Sequence, residues 1–108
     1  MREEAAAPVE LSESSPGQFA ARGPLIFATA TLARRTGLTA FGATSSSTAI
    51  EIDCSGITSS DSAGMTVLLD WLSFAKHSGR SMHFASLPEQ VQAIARISDA
   101  LELLEKGV

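Results

Sequence analysis

The chain changes its periodicity at one short segment, Ser60-Asp61-Ser62-Ala63-Gly64. Over residues 49–54, before this segment, apolar and polar residues alternate at period two, which is typical of a strand with one buried face. Over residues 65–75, after it, apolar residues recur every three or four positions, which predicts an amphipathic helix. The sequence therefore predicts a strand, a short loop and a helix, with hydroxyls and a carboxylate where the helix begins.

The start of this predicted helix is the main candidate for a functional site. A helix N-terminus exposes unpaired backbone N–H groups and a partial positive charge, so Asp61 and Ser62 are suited to cap the helix and to face a docking partner. Capping alone is a sufficient explanation for both residues, and it is compatible with recognition. We single out Ser62 as the residue whose hydroxyl a partner would contact.

Length and composition indicate one domain with one core. The chain has 108 residues, of which 44% are hydrophobic and 19% charged, close to ordinary globular usage. We expect a frayed N-terminal segment over residues 1–8, a single domain over residues 9–105 and a frayed C-terminus over residues 106–108.

The charge and the apolar content restrict the classes of partner. The formal net charge is −4 and the isoelectric point is near 5.0, without a basic stripe to neutralise phosphates, so nucleic-acid binding is not expected. No segment reaches the roughly 18 uninterrupted apolar residues of a membrane span, and Glu3 and Glu4 stand where a signal peptide would be basic and then apolar. The sequence predicts a cytoplasmic protein without direct membrane insertion. The lone Cys54 is expected to be a small buried side chain.

Period-two and helical spacings divide the rest of the chain into further elements. A hairpin is predicted over residues 9–22 around Ser15-Pro16-Gly17, and Gly23-Pro24 is expected to end its second strand. The later elements are a helix over 25–41, a strand over 49–54 that ends at the turn Ser55-Gly56, a helix over 62–78, a strand over 81–85, a helix begun by the capping box Ser86-Leu87-Pro88-Glu89, and a last helix capped by Ser98-Asp99.

The predicted central helix carries more apolar surface than one core-facing stripe requires. Beside its main stripe, Val67, Trp71 and Phe74 form a second apolar row. One explanation is that the first helix or the C-terminal helices bury this row. The other is that the row is a docking face, because Trp and Phe are favoured anchors at the centres of protein interfaces. The residues alone leave both explanations open.

The residues that catalysis would need are not placed together in the sequence. Neither His77 nor His83 is spaced to activate Ser62, and Ser60 stands where the nucleophile elbow G-x-S-x-G has its first glycine. No Cys/His cluster has metal-ligand spacing, and no G-x-x-x-x-G-K-[ST] loop occurs. The sequence therefore predicts a non-enzymatic protein with no cofactor and no metal, and a serine hydrolase acting through Ser62 is the weaker alternative.

The sequence resembles the STAS domain family in three segments. These are residues 50–55, residues 60–65 and the return strand ending in Leu87-Pro88. The resemblance spans roughly residues 9–104. The D-[ST]-x-G signature at the start of the second helix of that family is matched by Asp61, Ser62 and Gly64. The resemblance implies an α/β fold, in which a mixed β-sheet of about four strands carries helices packed mainly on one face.

Two branches of the family imply different roles for Ser62. In anti-sigma factor antagonists, a kinase phosphorylates the hydroxyl at this position, and the added charge breaks the complex. In the MlaB branch, the hydroxyl helps to dock the domain onto the ATPase subunit of a phospholipid ABC transporter. The segments more similar to MlaB-type sequences are 23–30, Asp70-Trp71, 87–90 and 97–101. Ala63 stands where anti-sigma factor antagonists often have a second serine.

The resemblance predicts a STAS subunit of an Mla-type ABC transporter that supports phospholipid transport and outer-membrane lipid asymmetry. Its partner would be the transporter ATPase, which would hold it at the inner face of the inner membrane, and self-association is left open. Gly64 would permit close approach of this partner. The expected partner-binding residues are Ser60, Asp61, Ser62, Ala63, Gly64, Val67 and Trp71. The alternative is an anti-sigma factor antagonist, with an anti-sigma factor kinase as partner and phosphorylation at Ser62.

Overall fold

A computed structural model describes residues 8–45 and 47–108 of the chain. Its elements, in chain order, are β1 (Glu10–Ser15), β2 (Gln18–Leu25), α1 (Phe27–Gly42), β3 (Ile50–Ser60), α2 (Ser62–His77), β4 (Met82–Ala85), α3 (Glu89–Ile97) and α4 (Leu101–Lys106). A frayed segment was predicted over residues 1–8, and residues 1–7 of it lie outside the described residues.

The four strands form one mixed sheet in the order β1-β2-β3-β4. β1 and β2 are antiparallel, and β3 is parallel to both of its neighbours, β2 and β4. Gly17, in the turn between β1 and β2, has a φ of 82°, and a side chain at this position would collide with the carbonyl oxygen of Ala49. The hairpin and the mixed α/β sheet predicted from the sequence are confirmed.

Alternate residues of β3 divide the sheet into a buried and an exposed face. Ile50, Ile52 and Cys54 belong to the core, whereas Glu51 and Asp53 are exposed, so the helices cover one face of the sheet. Burial raises the pKa of the Cys54 thiol to about 12, so this residue stays protonated and is the small buried side chain expected. The largest fully buried side chains are Trp71, Phe41, Leu25, Ile50, Ile52, Leu68, Leu72, Met82 and Leu104.

Two strands run further than the sequence predicts. β2 passes through Gly23-Pro24 to Leu25, and β3 passes through Ser55-Gly56 to Ser60, so the predicted strand ends are wrong. The ladder between them shifts its register after Ala20 and again at Gly23-Pro24. Such bulges accommodate a proline, which has no N–H to donate to the ladder. As a consequence, Leu25 pairs with Ser60, and α1 and α2 each begin two residues after this pair.

The two C-terminal helices exist as predicted, but their predicted caps do not form. α3 begins after Pro88 and α4 after Ala100, and neither helix has a hydrogen bond from a capping side chain. Ser86 and Asp99 instead have φ values of 57° and 60°, in the left-handed region. Each residue thus turns the chain ahead of a helix rather than capping it.

The prediction that residues 106–108 are frayed is wrong, because a backbone pair holds the end of the chain at the edge of the sheet. Val108 and Met82 exchange two hydrogen bonds, of 3.1 and 2.9 Å, which is the pattern of an antiparallel bridge. Gly107 makes this approach feasible, because it has a φ of 73° and because a side chain there would collide with the carbonyl oxygen of Met82. Residues 107–108 therefore cover part of the edge of β4.

Candidate functional site

Asp61 lies between the N-termini of α1 and α2 and caps both helices. Its Oδ1 accepts a hydrogen bond from the backbone N–H of Gly64 at 3.0 Å, and its Oδ2 accepts one from the backbone N–H of Phe27, also at 3.0 Å. One carboxylate thus satisfies an unpaired donor of each helix and lies at the positive end of both helix dipoles. The capping predicted for α2 is confirmed, and it extends to α1.

Gly64 is required by packing within the chain. A side chain at this position would collide with the carbonyl oxygen of Leu25, so the first turn of α2 can lie against the end of β2 only if residue 64 is glycine. Gly64 is also buried. The expectation that Gly64 admits a partner is therefore corrected, because β2 already occupies the space beside it.

Ser62 is the first residue of α2, and its side chain is exposed. Its backbone carbonyl accepts a hydrogen bond from the hydroxyl of Thr66 at 3.0 Å, as part of the first turn. The turn is held from the other side by Asp61, so the backbone that carries Ser62 is fixed while its hydroxyl is accessible. A second polypeptide can therefore reach this hydroxyl without any rearrangement of the domain.

Phe27 is a site residue that sequence reasoning missed. It is the first residue of α1, it is 83% exposed, and its backbone N–H is the group bound by Asp61. The buried residues of α1 are Thr29, Ala33, Gly37 and Phe41, and Phe27 lies off the stripe that they form. The corner where both helices begin therefore carries an exposed aromatic ring as well as an exposed hydroxyl.

Ser60 does not belong to the exposed surface. It is the last residue of β3 and is 7% exposed, and its backbone N–H donates a hydrogen bond to Oε1 of Gln90 at 2.9 Å. Its Oγ is buried and has no hydrogen-bond partner among the described residues. The prediction that Ser60 contacts a partner is therefore corrected, because α3 packs over the end of the strand.

Two residues of the apolar row of α2, Val67 and Trp71, are buried beneath α1, whereas Phe74 is half-buried. Trp71 is completely buried, its Nε1 donates a hydrogen bond to the carbonyl oxygen of Arg34 at 3.3 Å, and its ring packs edge-to-face on Phe41 with centroids 5.4 Å apart. Gly37 lies against the indole. Trp71 is therefore a core residue that joins the two helices, and its assignment as an exposed anchor is corrected. Val67 is only 3% exposed and is likewise no anchor.

A groove of about 490 Å³ runs between α1 and α2 from the corner that carries Ser62. Its open end is formed by Phe27 and Ala63, and its far end by the ion pair between Arg34 and Asp70, in which Nε lies 3.1 Å from Oδ2. The side chains that line it are Phe27, Ala28, Ala30, Thr31, Arg34, Ala63, Thr66, Val67 and Asp70. Ala63 and Val67 thus form part of a recess next to Ser62.

No histidine of the described chain lies near enough to activate Ser62. His77 ends α2, about 22 Å from Ser62 at the rise of an α-helix. His83 pairs with Glu51 of β3. Glu51 lies nine residues before Ser60, the last residue of that strand, so His83 is about 30 Å from the end of β3 at which Ser62 follows. Residues 8–45 and 47–108 contain no group of three or more His, Cys, Asp or Glu side chains suited to hold a metal ion.

Within the described residues, no helix combines the length and the apolar character that crossing a bilayer requires.

Comparison with protein families gives a match that covers most of the chain. A family model described as "Mlab, STAS domain" matches residues 12–105. The chain belongs to the STAS domain family. A solved STAS-type structure, that of the anti-sigma factor antagonist SpoIIAA in its unphosphorylated form, has a TM-score of 0.61, 14% sequence identity and coverage of 82% of both chains. No curated protein matched the sequence.

Membership of the STAS family confirms the resemblance and the fold class predicted from the sequence. The family is one of protein-interaction domains, and the comparisons indicate no catalytic family. The STAS signature Asp61-Ser62-Ala63-Gly64 lies where both helices begin, beside Phe27. In this STAS domain, Asp61 and Gly64 hold that corner together, whereas Ser62 and Phe27 are exposed on it.

Proposed function

We propose that this STAS domain is a non-enzymatic subunit that binds the cytoplasmic ATPase of an Mla-type ABC transporter. Through that partner it is held at the inner face of the inner membrane and supports phospholipid transport and the lipid asymmetry of the outer membrane. The match of an MlaB-type model over residues 12–105 supports this branch of the family. Ala63 is consistent with it, since anti-sigma factor antagonists often carry a second serine there.

One observation carries the proposed docking site: an exposed hydroxyl and an exposed aromatic ring share one rigid corner. Ser62 and Phe27 are the first residues of α2 and α1, and the Asp61 carboxylate binds the starts of both helices. Aromatic residues are enriched at interface centres, so the exposed Phe27 beside a recess is suited to anchor a partner. The corner is preorganised, so binding costs little conformational entropy.

The residues of the corner have separate roles in this proposal. Ser62 offers its hydroxyl to a backbone or side-chain group of the ATPase, and Phe27 packs against an apolar surface of it. Ala63 keeps the entrance of the groove open because its side chain is a single methyl group. Asp61, Gly64 and Trp71 act as positioning residues, since they hold the two helices without contacting the partner.

Co-purification of the chain with the ATPase encoded beside it tests this proposal. We expect Phe27→Ala and Ser62→Glu each to lower the affinity at least about tenfold, because each changes the centre of the contact. Ile97→Ala is the matched control, since Ile97 is 87% exposed but lies on α3. If the native chain does not bind the ATPase, or if the control weakens binding as much as Phe27→Ala, the proposal is wrong.

A second candidate function is that of an anti-sigma factor antagonist switched by a kinase. The exposure of Ser62 at the start of a helix favours it. The kinase would transfer the γ-phosphoryl group of ATP to the Ser62 Oγ. The product carries a charge of about −1.5 to −2 next to the Asp61 carboxylate, so it would repel an acidic partner surface. Mass spectrometry after incubation with ATP and the kinase encoded beside the chain tests this function, and an unmodified Ser62 contradicts it.

A further inference from the structure

Residues 24–26 carry the chain from the end of β2 to Phe27, the first residue of α1. The ring of Phe27 is 83% exposed, so packing against the rest of the chain holds it little, and its position depends on the backbone of this turn. Ile26 is the N-cap residue of α1, but its aliphatic side chain cannot accept a hydrogen bond. The N–H groups at the start of α1 therefore need partners from other residues.

The hydroxyl of Thr29, in the first turn of α1, supplies a partner for this turn. Its Oγ1 accepts a hydrogen bond from the backbone N–H of Ile26 at 3.0 Å and donates one to the carbonyl oxygen of Pro24 at 2.7 Å. The carbonyl oxygen of Ile26, at 3.1 Å, is a more distant acceptor for the same proton. A hydroxyl can accept and donate through a single atom, whereas valine, which has nearly the same shape, can do neither.

The Thr29 side chain is shielded from water, since it is only 4% exposed and lies on the buried stripe of α1. Such a position favours an apolar residue, so packing alone does not require a hydroxyl there. A methyl group in place of the hydroxyl would leave the Ile26 N–H and the Pro24 carbonyl facing an apolar atom, without their present partner. Loss of the hydroxyl therefore favours a different conformation of the turn.

Thr29 and Asp61 together hold both peptide planes that flank Ile26. The N–H of Ile26 belongs to the peptide before this residue and is bound by Thr29, and the N–H of Phe27 belongs to the peptide after it and is bound by Asp61. Because each peptide is planar, holding both of them fixes the direction in which the Phe27 side chain leaves the backbone. The ring can then face a partner at a constant distance from Ser62, although it is exposed.

We propose that Thr29 is a positioning residue of the docking site, which acts through Phe27 by holding the turn that presents its ring. This inference rests on the proposed function and adds to that site a residue that lies outside the STAS signature and is buried away from the partner. Asp61 fixes the start of α1 relative to α2, whereas Thr29 fixes the turn itself. The exposed anchor thus depends on a buried hydroxyl two residues further along the chain.

Titration of Thr29 variants of the full-length chain with the purified ATPase tests this role. Thr29→Val should raise the Kd about fivefold, because the Phe27 ring is no longer preorganised, whereas Thr29→Ser keeps the hydroxyl and should stay within about twofold of the native chain. Thr39→Val is the matched control, since it makes the same substitution at an exposed position of α1. Gly107→Ala controls for lost stability, since its collision with the Met82 carbonyl lies at the other end of the sheet. Both controls should leave the Kd within about twofold of the native value.

A double-mutant cycle shows whether Thr29 acts through Phe27. Once Phe27→Ala has removed the ring, adding Thr29→Val should change the Kd by less than about twofold, because the turn has no anchor left to present. A purely structural role would give the same loss with and without the ring. If the two losses multiply, or if Thr29→Val binds as the native chain does, the positioning role is wrong while the proposed function stands.

Amide hydrogen exchange, followed by NMR on the free chain, tests the contact without the ATPase. In Thr29→Val the amide of Ile26 should exchange at least about tenfold faster than in the native chain, and in Thr29→Ser it should remain protected. Equal exchange of this amide in the native and Thr29→Val chains would contradict the hydrogen bond on which the role depends. If the native chain does not bind the ATPase, the proposed function fails, and the role of Thr29 in docking fails with it.

Discussion

The carboxylate of Asp61 binds the backbone N–H of Phe27, a residue 34 positions earlier in the chain, at 3.0 Å. The same carboxylate binds Gly64 in the first turn of α2. An N-cap aspartate usually binds the start of one helix, whereas Asp61 fixes the relative position of two helices. The exposed ring of Phe27 and the exposed hydroxyl of Ser62 keep their spacing because of this shared contact.

Replacing Asp61 should destabilise the domain through both helices. Asp61→Ala removes two caps, so we expect the free energy of unfolding to fall by about 2 kcal/mol, whereas Asp61→Asn keeps one acceptor oxygen and should lose about half of that. Urea denaturation followed by circular dichroism measures both. Ser62→Ala is the control and should stay within about 0.5 kcal/mol of the native chain. A loss for Asp61→Ala no larger than that of the control would contradict the double cap.

The contact between Gly37 and Trp71 should tolerate no added methyl group. A Cβ at residue 37 would collide with the indole, so Gly37→Ala should lower the free energy of unfolding by about 1–3 kcal/mol. Gly42→Ala, at the end of the same helix, meets no atom within 4 Å and should leave the stability unchanged or raise it by about 0.4–1 kcal/mol.

Trp71 is the only tryptophan of the chain, so its fluorescence reports on this contact directly. In the native chain we expect its emission to resist quenching by iodide, because the side chain is completely buried. Strong quenching in the folded chain would contradict the placement of α1 over this row.

Cys54 should be inert while the chain is folded. Burial raises its thiol pKa from 9.0 to about 12, so iodoacetamide at pH 8 should label it only after unfolding. Because the folded state holds this proton more tightly than the unfolded state, the resulting stabilisation is complete below pH 9 and declines as the pH rises from about 9 to 12. Rapid labelling without denaturant, detected by mass spectrometry, would contradict the burial of Cys54.

The bridge between Val108 and Met82 should depend on Gly107. Gly107→Ala combines a positive φ with a collision against the Met82 carbonyl, so we expect a loss of about 2 kcal/mol or more in the free energy of unfolding. Gly79→Ala provides the comparison, since Gly79 also has a positive φ, of 69°, but meets no atom within 4 Å. If thermal unfolding shows equal losses for the two variants, the contact with β4 contributes nothing.

The order and type of the elements followed from local patterns in the sequence. The alternation over residues 50–54 and the helical spacing after Asp61 reflect neighbours one to four positions apart, and the structure reproduces both. The STAS signature was recognisable for the same reason, since Asp61 and Gly64 act on the turn in which they stand. Strand ends were less predictable, because bulges let β2 and β3 continue through Gly23-Pro24 and Ser55-Gly56.

Which residues are exposed was decided by contacts between distant parts of the chain. Trp71 and Phe27 are both large apolar residues of amphipathic helices, yet one is completely buried and the other is 83% exposed. Trp71 is covered by α1, through a hydrogen bond that spans 37 residues, and Ser60 is covered by α3, through one that spans 30. Periodicity states which side of a helix is apolar, but burial depends on which other element packs there, and only the tertiary structure contains that information.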